Sequence, residues 1–389
     1  LQICVVHISK QDEKALDGEF GSSLSVAYKI LLAIGEATEA EKLVSIKWAH
    51  VSGVNYNTIG DAGLKFLTEF SKDARVSVQT TLNPMGYDKH KKSIISDEFQ
   101  DKQTSIVKSY MKMGILPSFS CVPYEIFDMP RKGTRVSFAE SSAAIMANSM
   151  YGLLTNKESA LSALASAITG KAPYSELHNE ELRRPTAQVR VDTPLSNELD
   201  YGLLGYFAGN AISKSCVSLG CYGKDLNIMK AKSLSAALGT AGSCGMFTQE
   251  ETNSEKIGFG KKEKDTVRDE LNTTDNGDLI ALGSPQLGIN ELDLISKSVV
   301  GKKFSKPCMI FCPRAIFNEA FKSGIAQQIE NAGGNLICDA CTCLTPLITS
   351  DEYDGIITNS IKGSYYFNKF NRIPVCLKDL KTILKEHLK

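Results

Sequence analysis

From about residue 275 to the end of the chain, short apolar runs alternate with amphipathic helical stretches. DLIALG (278–283), PCMIFCP (307–313), NLICDA (335–340), DGIITNS (354–360) and PVCL (374–377) read as strands. The stretches between and after them read as helices: SPQLGINELDLISKSV (284–299, turn plus helix), AIFNEAFKSGIAQQIENAGG (315–334) and LKDLKTILKEHL (377–388). The second of these is predicted as one helix closed by Gly333 and Gly334. Strands separated by helices cannot pair as hairpins, so they form a parallel sheet covered on both faces. The same rhythm is weaker upstream: a helix over 22–38, a strand over 42–53, a short helix over 59–70 with Asp61 in its first turn, and a strand over 75–83. The expectation is an α/β chain with a region 1–274, divisible into two subdomains, and a separate C-terminal α/β domain, 275–389.

A parallel sheet gathers its functional groups at the carboxyl ends of its strands. Three such ends are rich in polar and turn-forming residues: Gly283–Gln286, Cys338–Thr342 and Thr358–Gly363. One cleft rimmed by all three would bring a thiol, a small hydroxyl and a lysine together. The middle of the chain adds a second group. Residues 137–171 are rich in Ala and Ser, which permits close helix packing, but Glu140, Ser141, Ser142, Asn148, Asn156 and Lys157 within it need partners or a ligand.

The cysteines sharpen the chemistry. Eleven are spread over 389 residues, an odd count that suits free thiols or metal ligands better than disulfides. Cys4, Cys216, Cys244, Cys308, Cys312 and Cys376 stand in apolar or small-residue settings and read as core residues. Cys121 in FSCVPY, and Cys338, Cys341 and Cys343 in NLICDACTCLTP, sit in loops or at a strand end, where a soft metal or iron–sulfur cluster could be held. Lys+Arg and Asp+Glu both number 44, so no charge excess points to nucleic acid or an anionic membrane. No apolar run reaches the ~18 residues of a membrane span. The opening LQICVVHISKQDEKALDGEF is too acidic for a signal peptide, which leads to the expectation of a cytoplasmic protein.

Fragments in a fixed order along nearly the whole chain carry a family resemblance. They include LDGEFG (16–21), AHVSGVNYNTIGDAGLKFL (49–67), TTLNPMGYD (80–88), SCVPY (120–124) and FAESSAAIMANSMYG with TNKE (138–158). SALASAITGKAPY (162–174), DYGLLGYFAG (200–209), LIALGSPQLGINEL (279–292), NAGGNLICDACT (331–342) and TNSIKGSYY (358–366) complete the set. The chain resembles the aconitase X branch of the aconitase superfamily, and its archaeal large subunit in particular.

The resemblance implies aconitase-like three-layer α/β/α domains without the swivelling small domain, which a separate small subunit would supply. It also implies a hydro-lyase that dehydrates mevalonate 5-phosphate to anhydromevalonate 5-phosphate, or else cis-3-hydroxy-L-proline as bacterial relatives do. A diverged member with an altered or lost cluster, acting on another substrate or as a non-catalytic subunit, is the further alternative. The cofactor would be an iron–sulfur cluster, [4Fe-4S], acting as Lewis acid on a small anionic hydroxy acid. By position Cys121 and Cys341 match two cluster cysteines. The third place is Ser284, where relatives carry Gly-Cys-Pro-His and this chain reads Gly283-Ser284-Pro285-Gln286; Cys343, Cys338 and Cys312 are alternative sulfurs. By the same analogy Ser360 is the proton acceptor, with Lys362 and Glu140 beside it. Asn83, Ser141, Ser142, Asn156, Lys157, Glu158, Arg314 and Asn359 would bind substrate, with Lys362 or Arg314 as anion anchor. Two further departures are Leu154 where an arginine is usual and Tyr365 where a histidine is usual.

Overall fold

A computed structural model describes residues 6–91, 95–213, 215–220 and 226–389. Cys4, expected in the core, lies outside the described residues. Three all-parallel sheets organise the described residues. The first orders Gln79–Leu82, Trp48–Val51 and Ser137–Phe138; the second orders Met246–Thr248, Cys216–Ser218, Ala187–Val191 and Glu255–Phe259. The third has five strands, in the order Gly334–Cys338, Cys308–Cys312, Leu279–Leu282, Ile356–Thr358 and Val375–Leu377.

Strand pleating explains how the third sheet is buried. Leu279, Ala281, Phe311, Ile337, Ile356 and Val375 face a core shared with the second sheet and its helices. Their alternates Ile280, Leu282, Ile310, Leu336 and Ile357 face helices Ile289–Ser298, Arg314–Lys322, Ile325–Asn331 and Leu380–His387. Cys308, Cys312, Cys338 and Cys376 fall on this second face.

Close backbone approach fixes the central helix pair, Glu198–Ala211 on Ile228–Ala241. A Cβ on Gly205 would stand 2.4 Å from the carbonyl oxygen of Leu234, so only glycine allows this contact. Among the described residues no helix is long and apolar enough to cross a membrane.

Several boundaries differ from the sequence-based expectation. The helix over 315–334 is two helices, Arg314–Lys322 and Ile325–Asn331, because Gly324 takes the left-handed conformation (φ 80°) and turns the chain. The strand over 42–53 is also two. Leu43–Ser45 pairs antiparallel with Lys171–Pro173, and Trp48–Val51 enters the first sheet. The helix placed at 59–70 starts at Tyr56, capped by the Asn55 side chain, and kinks at Gly60 (φ 56°), which puts Asp61 beyond the first turn.

Candidate active site

The first and third sheets turn their carboxyl ends toward one cavity of about 360 Å³. Trp48–Val51 leads into Ser52 and Asn55, Gln79–Leu82 into Asn83, and Ser137–Phe138 into Glu140. From the opposite side come Ser284 and Gln286 after Leu279–Leu282, Cys341 and Cys343 after Gly334–Cys338, and Lys362 and Tyr366 after Ile356–Thr358. Cys121 joins from a loop. The three polar strand ends therefore meet, and the site is built between two units of the chain.

Gln286 welds this junction together. Its fully buried amide accepts a hydrogen bond from the Cys121 N–H (3.2 Å) and donates to the carbonyls of Phe119 (3.3 Å) and Ala340 (3.1 Å). The Gln286 N–H donates to Cys121 Sγ at 3.2 Å. One residue thus sets the spacing between the Cys121 loop and the Cys341 turn. The turn is tied to the loop that follows Gln79–Leu82 as well, since Met85 N–H donates to Asp339 O and Cys341 N–H to Met85 O. At its far edge Ser284 Oγ and Cys343 Sγ are 3.3 Å apart.

A charged pair faces the thiols. Lys362 Nζ donates to Glu140 at 2.5 Å, and Asn83 donates to the other Glu140 oxygen at 2.9 Å. Glu140 also caps helix Ser141–Ser149, accepting from Ser142. Burial alone would raise the Glu140 pKa, but the charge and hydrogen bond of Lys362 and the Asn83 amide bring it down to about 2. Lys362 is raised in turn, its burial outweighed by Glu140. His50 bonds Thr81 and the Asn83 carbonyl oxygen, and burial pushes it down to about 4, so it is neutral. Burial and then Glu140 push the Cys121 thiol up to about 12. Cys341 is lowered by a hydrogen bond from Cys343 and by Lys362, against burial.

Other expected site residues lie elsewhere, each for an identifiable reason. Cys312 and Cys338, adjacent in register on neighbouring strands, point by the pleat into the helix-covered core, where each is the other's hydrogen-bond partner. Neither opens on the cavity, so Cys312 is the core thiol its apolar setting indicates, and Cys312 and Cys338 are not the alternative sulfurs. Arg314 is spent on Asp88 and Asp339 rather than facing the cavity. Lys157 donates to the carbonyls of Gly239 and Gly242 (2.6 Å), closing the end of helix Ile228–Ala241. Asn156 binds Ser175 and the His178 N–H, and Glu158 is buried with one oxygen unpartnered and its pKa raised to about 7 by desolvation. Ser141 packs toward Gly239. Ser360 caps helix Ile361–Tyr366, accepting from Gly363 N–H and donating to Ser284 O. With Asn359 it lines an adjoining crevice of about 30 Å³ that shares Gly283, Ser284, Pro285 and Lys362 with the main cavity, and its hydroxyl is engaged as a helix cap. Leu154 is buried away from the cavity, and Tyr365 packs against Tyr206 and Phe370.

Sequence reasoning passed over His50, Ser52, Asn55 and Tyr366 as site residues, and placed Gln286 on the cleft rim and among the departures without foreseeing its bridging role. His50 lies at the carboxyl end of strand Trp48–Val51, and Ser52 and Asn55 follow it directly, which was the available signal.

Profiles of the Aconitase X first, second and third domains match residues 5–181, 185–281 and 277–389. The chain belongs to the aconitase X family. Among its relatives, the phosphomevalonate dehydratase large subunits of Methanocaldococcus jannaschii and Thermococcus kodakarensis are 35% and 36% identical, each over 98% of this chain and 100% of the relative. The cis-3-hydroxy-L-proline dehydratase of Hypocrea jecorina is 30% identical over 93% of this chain and 65% of its own length. The crystal structure of Thermococcus kodakaraensis aconitase X in its holo-form superposes with a TM-score of 0.90 at 34% identity, covering 98% of this chain and 100% of that one. This aconitase X chain shares the α/β fold with parallel sheets.

The donor set bears on which cofactor the site can take. Among the described residues no three His, Cys, Asp or Glu side chains close around a single ion. Cys121 from one loop, and Cys341 and Cys343 from one turn, instead line one cavity, a soft donor set of the kind an iron–sulfur cluster uses. The residues fit such a group.

Proposed function

We propose that this chain is the large subunit of a cytoplasmic phosphomevalonate dehydratase, a hydro-lyase that removes water from mevalonate 5-phosphate with the help of an iron–sulfur cluster and a separate small subunit. The observation that carries the reading is the meeting of three thiols and a buried Lys362–Glu140 pair on one cavity, in a chain similar to those large subunits over its whole length. Cys121 and Cys341 would hold the cluster. When bound it would supply Lewis acidity toward the departing hydroxyl.

The chain's own residues supply the rest. Lys362 is the cation on the cavity wall able to receive the substrate carboxylate. As that carboxylate shares Lys362, Glu140 loses part of its counter-charge and becomes a stronger base, able to take the proton from carbon. Asn83 keeps the Glu140 carboxylate oriented, with His50 fixing Asn83 in turn. Ser52, Asn55 and Thr58 offer neutral polar groups for the remainder of the substrate.

Anaerobic reconstitution with iron and sulfide, followed by iron counting and visible spectroscopy, tests the cofactor. Incubation with mevalonate 5-phosphate and a candidate small subunit tests the reaction. A folded chain that takes no iron, or a reconstituted pair that dehydrates only cis-3-hydroxy-L-proline, would overturn the proposal.

A further inference from the structure

We infer that Cys343 supplies the third thiolate of the cluster, in place of Ser284. The inference rests on the cluster reading above. Cys121 and Cys341 leave a three-thiolate site one sulfur short, and the residue at the expected third corner, Ser284, carries a hard, weakly acidic hydroxyl that suits iron–sulfide chemistry poorly. The Cys343 sulfur touches that hydroxyl at 3.3 Å, so a sulfur is available within one atom's reach of the expected place.

Backbone geometry explains how two cysteines only two positions apart can serve one site. On a strand, residues 341 and 343 would share a face with Asp339, and Cys338 would point to the other. Here the strand has ended at Cys338, and the N–H groups of Leu344 and Thr345 both fold back onto the Cys341 carbonyl. That tight turn places both sulfurs on the cavity, within hydrogen-bond reach of each other. Thr342 Oγ1 donates to Gly283 O at 2.6 Å, pinning the turn against the Ser284 loop. Asn55 Nδ2 donates to Leu344 O from the other unit at 3.0 Å. The Cys343 position is therefore fixed from both sides of the cleft. Cys312 and Cys338 are directed into the opposite core layer, so among the described residues Cys343 is the remaining thiol on this cavity.

The test compares anaerobically reconstituted wild type, Cys343→Ser, Ser284→Ala and the double variant Ser284→Cys/Cys343→Ser, each first checked for native circular dichroism. Iron and sulfide per chain and the visible and electron paramagnetic resonance spectra are the readouts. Cys343→Ser is expected to lower cluster retention at least about tenfold, since even outer partners of metal sites are worth that much. Ser284→Ala should retain the cluster. The double variant should regain it, because the sulfur has only been moved to the side chain it touches. A cluster that survives Cys343→Ser with wild-type iron content overturns this assignment and leaves the proposed function standing. The same holds if Ser284→Ala alone loses it. A wild-type chain that takes up no iron overturns both.

Discussion

Replacing Gln286 by methionine keeps the side chain's length and bulk but removes its amide. Three buried backbone groups then lose their partner: the Cys121 N–H and the carbonyls of Phe119 and Ala340, now bonded at 3.2, 3.3 and 3.1 Å. At the low end of about 1 kcal/mol for each orphaned group, the junction loses about 3 kcal/mol. Because Gln286 bridges two loops, the loss should fall first on local opening of the Cys121 and Ala340 segments. Native-state hydrogen exchange followed by mass spectrometry reads this directly. Three kcal/mol corresponds to exchange roughly a hundredfold faster at the Cys121 amide. Amides of the sheet interior, such as Ile280, should change far less. Acceleration below about fivefold at Cys121, equivalent to about 1 kcal/mol, would refute the bridging role.

Three other outcomes follow from the charged and close-packed groups. Glu158 has a folded pKa of about 7 against an ordinary 4.5, so it costs nothing below pH 4.5 and destabilises the fold progressively as pH rises through 7. Glu158→Gln should match wild type in denaturant near pH 4.5 and gain about 3 kcal/mol at pH 8; equal stability at both would contradict the desolvation argument. Lys362→Met leaves Glu140 buried without its cation and should cost about 3–5 kcal/mol at pH 8, partly recovered in Glu140→Gln/Lys362→Met; a variant as stable as wild type would show the pair to be loosely held. Gly205→Ala drives a Cβ against the Leu234 carbonyl and should destabilise by about 1–3 kcal/mol in thermal unfolding, whereas no loss would mean that the two helices can separate freely.

The contrast between neighbouring cysteines shows where sequence reading stops. NLICDACTCLTP announced a strand ending in a thiol-rich turn, and the strand does end at Cys338. Which sulfurs meet was not legible. Cys338 and Cys312 sit at strand ends and look like ligands in one dimension, yet pleat parity turns both into the core. Cys343 reaches the cavity because the chain curls after Cys341, a consequence of two hydrogen bonds to one carbonyl. Lys157 and Arg314 are plausible substrate-binding cations by type, but helix-end carbonyls in one case and two aspartates in the other claim them.

The sequence by itself determined the α/β class, the parallel C-terminal sheet and the family, because apolar periodicity and ordered motifs are local properties of the chain. Tertiary structure alone decided the site. Two sheets aim their carboxyl ends at each other, and only that arrangement selects the side chains that face the cavity. It makes Gln286 a buried bridge, and it pairs Glu140 with Lys362 across 222 residues of chain. Contacts over such separations depend on burial and loop geometry, which no stretch of sequence expresses alone.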